Sequence, residues 1–380
     1  MNSHYRKRVE TMEKRMMQWL MVFLSAMILA ACGGTETEAP PEAETEQTDS
    51  PVDTAAQEKA VMIANAKTHV YTIYTDFEQG SGFLFNNQGD ILTNAHVVRD
   101  ATFISLVNSD GQEFAGKVIG MSLDEDLALV RVEDLAGKEP LEQEMQPVDI
   151  GTPVIAIGSP ENAANTATEG EITDTGVDFS EVFVYTDLYE MNALIKQGSS
   201  GGPLLDASTG RVLGINSVML EDNPEIGYAI PLYLKKEMLD SWANNPDPLP
   251  ESQLVEPSVK DAYFEEALLS SFIEAYYDLL PYSMNDEELN YYSSYLVQGS
   301  QAVEAVDSVV QEYSADGRVF DSVVPEVSSV EIEGDRAYVE AGAVFNYHEA
   351  NGETGTIDHR RLYTVVIDEY GDYQIEYVEE

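Results

Sequence analysis

Short apolar stretches dominate residues 60–245 and alternate with turn signals built from Gly, Asn and Asp. These stretches are Val70–Tyr74, Gly82–Phe85, Ile91–Thr93, Phe103–Val107, Leu127–Val132, Val154–Ile157, Val182–Tyr185, Val212–Val218 and Gly227–Ile230. Many short strands at this spacing are typical of a sandwich or a barrel. The pattern therefore predicts an all-β domain over residues 59–245.

The apolar period changes after a cluster of prolines that marks a linker at residues 246–257. Two stretches then show the three-to-four-residue spacing of a helix face: Phe264, Leu268, Phe272, Tyr276 and Leu279, followed by Val303, Val306, Val310 and Tyr313. Strand-like runs follow Pro325 at Val327–Ile332, Arg336–Tyr347, His359–Asp368 and Asp372–Val378. Helices followed by strands predict a smaller α+β domain at residues 258–380.

The N-terminal segment combines five basic residues with the apolar run Met16–Ala31. This run is shorter than the ~20 residues of a membrane-spanning helix and is typical of a secretory signal. It ends in LAACG, which resembles the bacterial lipobox. The resemblance implies a lipoprotein signal peptide at residues 1–31 and a lipid anchor on Cys32, the single cysteine. An uncleaved anchor, or an ordinary signal with a chance cysteine, is the alternative.

The composition limits where in the cell the protein is expected and which classes of partner it can bind. Residues 32–58 are rich in Glu, Thr and Pro, and we expect a disordered acidic tether there. The chain has 69 acidic and 20 basic residues, a net charge of −49. Such a charge repels nucleic acid, so nucleic acid is excluded as a partner. We expect the chain beyond Cys32 to be extracytoplasmic and anchored in the bacterial cell envelope.

Three segments of the β domain carry residues suited to nucleophilic catalysis: TNAHVV with His96, DLALV with Asp126, and GSSGGPL with Ser200. A serine hydroxyl attacks efficiently only when a base accepts its proton, and histidine titrates near the working pH. A carboxylate then holds the imidazole in one tautomer and stabilises its charged form. Asp126 directly opens an apolar strand and is favoured over Asp124 for this role.

Glycines around Ser200 permit a tight turn that directs backbone N–H groups to one point. The N–H groups of Gly198 and Ser200 are therefore the candidates for stabilising an oxyanion. His69 lacks the TNA context and is interpreted as structural. His348 and His359 have no metal-ligand spacing, and the sequence predicts neither a metal nor a cofactor.

Residues ~60–240 resemble the trypsin-like serine proteases of the HtrA/Deg branch. The resemblance rests on TNAHVV, DLALVRV, GSSGGPLLD, GRVLGINSV and GYAIPL, with 30 residues from His96 to Asp126 and 74 more to Ser200. It implies an all-β, double β-barrel fold with the triad between the barrels. Ser199 replaces the usual Asn, the segment 187–192 is longer than usual, and no PDZ carboxylate-binding loop is recognisable. The C-terminal region instead resembles the NTF2-like fold.

The resemblance also implies a substrate pocket with Leu194 at its floor and with Ile215, Asn216, Ser217, Gly227, Tyr228 and Ala229 as walls. Because Leu194 is not acidic, we expect cleavage after small or medium apolar residues. The sequence predicts a serine endopeptidase that acts on extracytoplasmic polypeptides, with a possible homo-oligomer and an envelope ligand for the C-terminal domain. The alternatives are a binding lipoprotein with a weakly active protease domain, and a glutamyl-type endopeptidase.

Overall fold

The computed structural model describes residues 54–159, 166–180, 183–196, 198–220, 223–247, 259–286, 290–314 and 317–379. The predicted signal peptide, the Cys32 anchor site, residues 32–53 of the predicted tether and residues 248–257 of the predicted linker lie outside this part of the chain. Within it, no helix combines the length and the apolar character needed to cross a membrane.

Helix α1 (Thr54–Lys67) precedes the first strand. It starts inside the segment that the sequence assigned to the tether, so residues 54–58 are helical. Its residues, TAAQEKAVMIANAK, are mostly good helix formers. Met62 and Ile63 pack against the buried core of the β domain, and this contact fixes the helix.

The β domain consists of two antiparallel sheets. The first contains β1 (Val70–Tyr74), β2 (Gln79–Leu84), β3 (Gln88–Thr93), β4 (Ser105–Val107), β5 (Glu113–Ala115), β6 (Lys117–Ser122) and β7 (Leu127–Ala136), in the order β5-β4-β1-β2-β3-β7-β6. The second contains β8 (Pro153–Gly158), β9 (Thr166–Ser180), β10 (Val184–Met191), β11 (Pro203–Asp206), β12 (Val212–Leu220) and β13 (Asn223–Pro231), and it closes into a barrel ordered β10-β13-β12-β11-β8-β9. A shared core that includes Leu92, Leu129, Ile157 and Ile215 joins the two sheets.

Two short helices accompany these sheets. Helix α2 (Ala95–Val98) follows β3, and helix α3 (Lys236–Asn244) closes the domain. The sequence analysis did not predict α3. Trp242 of α3 packs directly on Gly120, where an added Cβ would lie 2.2 Å from the indole Cγ. The missing side chain at Gly120 therefore allows α3 to lie on the first sheet.

The C-terminal domain packs two helices, α4 (Glu266–Asn285) and α5 (Gln301–Ser314), against a four-stranded antiparallel sheet. Its strands are β14 (Val319–Glu333), β15 (Arg336–His348), β16 (Thr354–Ile367) and β17 (Tyr373–Glu379), in sequence order. The sequence predicted that the first of these strands follows Pro325, but β14 contains that proline. An edge strand tolerates proline because one side of its backbone needs no ladder hydrogen bond.

Polar contacts join the C-terminal domain to the first sheet. Lys138 Nζ lies 2.5 Å from Asp372 Oδ2, and Asn108 Nδ2 donates to the carbonyl of Gly371 at 3.1 Å. The backbone N–H of Tyr373 donates to Asp110 Oδ2 at 2.9 Å. Burial raises the pKa of Asp110 to about 7. The turn between β16 and β17 is therefore held on the β domain by buried polar groups.

Candidate active site

His96 lies on α2, three residues beyond the end of β3. Its Nδ1 is 2.8 Å from Asp126 Oδ2 and 3.0 Å from Asp126 Oδ1. Its backbone N–H also donates to Asp126 Oδ1 at 2.9 Å. One carboxylate thus holds His96 through both its ring and its backbone, while the side chain keeps 26% exposure.

Asp126 is fully buried, and four donors surround its carboxylate. Besides the two N–H groups of His96, the hydroxyl of Tyr185 donates to Oδ2 at 2.7 Å and that of Ser217 donates at 3.3 Å. Such donors replace the water that a buried carboxylate loses. The backbone of Asp126 has φ +50°, a strained value for a non-glycine residue. Asn94 Nδ2 donates to its carbonyl at 2.9 Å. These contacts hold the carboxylate in one orientation.

Ser200 lies on the loop that leads into β11. Its Oγ donates to the carbonyl of Ser217 at 3.1 Å, so in this conformation it donates to no nitrogen of His96. Side-chain torsions occupy three staggered wells, and a change of χ1 re-aims a serine hydroxyl without moving the backbone. Catalytic hydrogen bonds are often loose before substrate binds. The geometry therefore forms the His96–Asp126 pair, while the Ser200 hydroxyl is bonded to the carbonyl of Ser217 in this conformation.

The loop around Ser200 is fixed from the side of the first sheet. Ser81 Oγ donates to the carbonyl of Gly198 at 2.7 Å, and Ser81 N–H donates to the carbonyl of Ser200 at 2.8 Å. A Cβ on Gly201 would lie 2.1 Å from the Ser81 oxygen, so only glycine fits there. Gly201 N–H donates to Asn216 O, whereas the N–H of Ser200 donates to no other described residue. That N–H remains available to a ligand.

The predicted pocket residues divide into two groups. Leu194 is 48% exposed and lines a shallow depression with Lys196 and Ser199. The side chains of Ile215, Asn216 and Ala229 are fully buried, with Ile215 in the core shared by the two sheets and Ala229 in the core of the barrel. Asn216 Nδ2 instead donates to the carbonyls of Ile157 and Pro203.

The other predicted wall residues also have partners within the domain. Tyr228 is 6% exposed, and its hydroxyl donates to Glu190 Oε2 at 3.1 Å. Gly227 packs against Ile195, to which an added Cβ would approach within 2.9 Å. Ser217 is the wall residue that contacts both Asp126 and Ser200.

The exposure and contacts of Asp124 and His69 distinguish them from the residues of the candidate site. Asp124 is exposed, and Asp126 is the carboxylate on His96. Both ring nitrogens of His69 lie 3.0 Å from backbone carbonyls, those of Asn65 and Glu139. Among the described residues, no group of three or more His, Cys, Asp or Glu is arranged to hold a metal.

Sequence reasoning missed Tyr185 and Ser81, both of which contact the site. Phe183 accompanies Tyr185, with its ring centroid 6.1 Å from that of His96. Tyr185 lies on β10 in a run of aromatic and apolar residues that reads as core. Ser81 is a fully buried serine between two glycines of β2, and a polar residue at a buried strand position is the signal that could have identified it.

Comparison with known families agrees with this geometry. Residues 80–215 match the family model described as the trypsin-like peptidase domain, and residues 265–379 match the model described as the TcaA protein NTF2-like domain. The predicted fold class, a trypsin-like β-barrel domain followed by a smaller α+β domain, is confirmed. The second match also confirms the NTF2-like resemblance of the C-terminal region.

The chain is also similar to proteins described as serine proteases. The chain is 36% identical over 170 residues to a serine protease designated HhoA from Synechocystis sp., covering 43% of each chain. It is 34% identical over 170 residues to a DegP-like periplasmic serine endoprotease from Chlamydia trachomatis serovar D, covering 43% of this chain and 34% of the relative. The crystal structure of the serine endoprotease from Yersinia pestis shares 30% identity at a TM-score of 0.44, covering 50% of this chain and 67% of that one. The matches thus span less than half the length of these two sequence relatives.

Proposed function

We propose that this chain is an extracytoplasmic serine endopeptidase with Ser200 as nucleophile, His96 as general base and Asp126 as the residue that orients the base. The observation that carries the proposal is the buried Asp126 carboxylate paired with His96 beside the glycine-rich loop of Ser200. Relatives described as serine proteases, one of them as periplasmic, support the activity and the location.

The proposed reaction begins when Ser200 Oγ attacks the peptide carbonyl while His96 Nε2 accepts the hydroxyl proton. The backbone N–H groups of Gly198 and Ser200 stabilise the oxyanion. His96 then gives the proton to the leaving amine, and an acyl-enzyme remains on Ser200. Water repeats the sequence, with His96 as base, and releases the carboxylate product. Each step moves one proton through one imidazole and needs no cofactor.

Two finer features belong to the same proposal. Exposed Leu194 beside the catalytic loop supports a preference for small or medium apolar residues at the cleavage site. The LAACG sequence supports lipidation of Cys32, which holds the catalytic domain at a membrane surface. Mass spectrometry of the cell-derived protein tests the lipidation, because a diacylglyceryl group adds a defined mass to the N-terminal peptide.

Degradation of casein by residues 33–380 tests the activity. We expect the wild type to cleave casein and Ser200→Ala to lose at least ~10³-fold in rate. Ser199→Ala is the matched control, since it removes the neighbouring hydroxyl and leaves the nucleophile. Equal cleavage by the wild type and Ser200→Ala would show that Ser200 is not the nucleophile. Absence of cleavage by the wild type would favour the second candidate function.

That second candidate is a binding lipoprotein that acts through its C-terminal domain. A cavity of about 290 Å³ within that domain favours it. An envelope phenotype that persists in the Ser200→Ala strain would support this candidate, and its loss would support proteolysis.

A further inference from the structure

A charged residue occupies an inner-face position of the C-terminal sheet, where a core residue is expected. Alternate residues of β16 face the helices, and among them Tyr363 and Val365 are buried in the core of the domain. Arg361 lies on the same face and is half-buried. Arginine is seldom buried unless it is paired with an acid. We therefore expect an acidic group to pair with Arg361 at this position.

Arg361 has no acidic partner in the described part of the chain. Its Nη1 donates to the backbone carbonyl of Arg360 at 2.8 Å, and no described carboxylate oxygen lies within ion-pair distance of it. The preceding residue behaves differently, because Arg360 contacts Glu326 at 3.0 Å and Asp358 at 3.4 Å on the outer face. Arg360 is thus paired with carboxylates, whereas the adjacent Arg361 is paired with none among the described residues.

The space beside Arg361 is a cavity of about 290 Å³. We call it the hollow site and define it by His359, Arg361 and Tyr363 of β16 together with Tyr276 of α4. The neighbouring strand β15 places Ala341 opposite Arg361 and Ala343 opposite His359. These small side chains leave space that larger residues would fill. The volume is at the lower end of the range for small-molecule sites.

His359 supplies a second polar group to the hollow site. It is 3% exposed, and its Nδ1 lies 3.0 Å from the hydroxyl of Tyr313. Burial, reinforced by Arg361, lowers the pKa of His359 to about 4, so the ring is neutral at pH 7. Its Nε2 makes no hydrogen bond to another described residue. A neutral imidazole can donate to or accept from a ligand without adding charge.

The mouth of the hollow site is acidic. Glu304 and Glu312 of α5 line it and are solvent-exposed, so water screens their charge. Arg361 is the cation among the residues that line the cavity. A planar carboxylate matches the guanidinium in a bidentate arrangement, and the apolar edge of α5, with Ala305, Val306 and Val309, suits a short aliphatic body.

We propose that the hollow site binds a small organic carboxylate through Arg361, with His359 as a second hydrogen-bonding group. The terminal carboxylate of a short peptide has this chemistry and this size. The proposal concerns the C-terminal domain and does not depend on proteolysis by the β domain.

Titration calorimetry on the Ser200→Ala chain tests the proposal with acetate, N-acetylalanine and N-acetyl-dialanine. The C-terminal amides of the two acetylated compounds are the matched controls, because they keep the shape and lose the charge. We expect N-acetyl-dialanine to bind with a Kd of about 1 mM or lower and its amide to bind at least ~10-fold more weakly. Failure of all three carboxylates to bind, or equal binding of acid and amide, would overturn the proposal.

Two variants assign the binding to Arg361. Arg361→Gln should weaken N-acetyl-dialanine binding at least ~10-fold, whereas Arg360→Gln, at the adjacent outer-face position, should leave it within about 2-fold. Binding that survives Arg361→Gln would show that the carboxylate binds elsewhere, the catalytic cleft included. The comparison of acid and amide on the parent chain decides the matter even if Arg361→Gln folds poorly.

Thermal unfolding separates a ligand-binding role from a structural one. Without ligand, Arg361→Gln should unfold at the same temperature as the parent or at a higher one, because it removes an unpaired half-buried charge. Saturating N-acetyl-dialanine should raise the unfolding temperature of the parent and leave that of Arg361→Gln unchanged. A variant that melts much earlier and still binds the probe would show that Arg361 is structural.

Discussion

The two domains each place a histidine beside a tyrosine, but they give it opposite electrostatic surroundings. In the β domain, Nδ1 of His96 contacts the buried carboxylate of Asp126, and the hydroxyl of Tyr185 donates to that carboxylate. In the C-terminal domain, Nδ1 of His359 contacts the hydroxyl of Tyr313, and the cation of Arg361 is the largest charged influence on the ring, opposed by Asp358. The ring of His96 thus contacts an anion, and the main charged influence on the ring of His359 is a cation.

In the roles proposed above, this difference separates His96, the proton acceptor, from His359, a neutral hydrogen-bonding group. A carboxylate at Nδ1 stabilises the imidazolium that forms when Nε2 takes a proton, which is the requirement for general-base catalysis. A buried ring next to a guanidinium resists protonation, and the pKa of His359 falls to about 4. A histidine in a cavity is therefore not sufficient for acid–base chemistry, because the burial of its ring and the charges around it decide its role.

Replacing Asp126 should have the largest effect. We expect Asp126→Asn to lower kcat for a fluorogenic peptide by ~10⁴-fold, because the amide neither fixes the reactive tautomer nor stabilises the imidazolium. Asp124→Asn is the control, since that exposed carboxylate does not contact His96 in this structure, and it should retain wild-type activity. A loss below 10-fold in Asp126→Asn would mean that His96 does not need an anion behind it.

The contrast between the domains also explains which features the sequence predicted. His96, Asp126 and Ser200 were predicted as a triad because each lies in a short local sequence pattern, and the structure brings His96 and Asp126 together. Tyr185 was not predicted, because its hydroxyl reaches Asp126 only after β10 packs in the closed barrel, and a tyrosine in an apolar run looks like core. Strand positions were predicted from the alternation of apolar stretches with turn residues. Helix α3 and the start of β14 before Pro325 were not predicted, because both depend on tertiary contacts.

The pocket walls at Ile215 and Ala229 stay a prediction. The resemblance implied both residues as walls, and the structure buries both side chains, Ile215 in the core shared by the two sheets and Ala229 in the core of the barrel. A one-residue difference in strand facing decides between core and cleft, and the sequence alone does not fix it.

Breaking the ion pair between the domains should have the second-largest effect. Lys138 is 8% exposed and bonds Asp372, whose side chain is 14% exposed, so Lys138→Met leaves a largely buried carboxylate without its cation. We expect the free energy of unfolding, measured in urea, to fall by ~3–5 kcal/mol. Lys236→Met, which breaks an exposed pair with Asp240 within α3, should cost only ~0.3–0.5 kcal/mol.

A double variant provides the decisive check on Lys138. Adding Asp372→Asn to Lys138→Met should recover part of the lost stability, because no uncompensated charge then remains. If Lys138→Met costs no more than Lys236→Met, the two domains are not held together by this pair, and the two histidine environments can be treated as independent.

Acid should expose the unusual surroundings of His359. Because its folded-state pKa of about 4 lies below the ordinary value of 6.5, the unfolded chain binds a proton at this residue between pH 6.5 and pH 4 while the folded chain does not. Stability from this group is therefore present above pH 6.5 and is lost as pH falls. Between pH 7 and pH 4.5 the loss should be about 2–3 kcal/mol. His359→Gln should lose that much less over the same interval.

Titration of the His359 ring by NMR checks the same point directly. The groups that act on it are Arg361, Asp358 and the hydroxyl of Tyr313. A midpoint near pH 4 would agree with burial beside a cation. A midpoint near pH 6.5 would contradict the neutral role assigned to this ring in the hollow site.

The smallest expected effect comes from the two tyrosines, which offer a matched pair of substitutions. Tyr185→Phe removes one of the donors to Asp126, a hydrogen bond of 2.7 Å, and leaves the other contacts of the carboxylate in place. We expect kcat to fall ~3–10-fold with KM unchanged, because Tyr185 positions Asp126 and does not touch the substrate. Tyr313→Phe removes the corresponding hydroxyl at His359 and should leave kcat unchanged. A change confined to KM in Tyr185→Phe would instead place this tyrosine at the substrate, and equal losses in both variants would show that the two histidine sites are coupled.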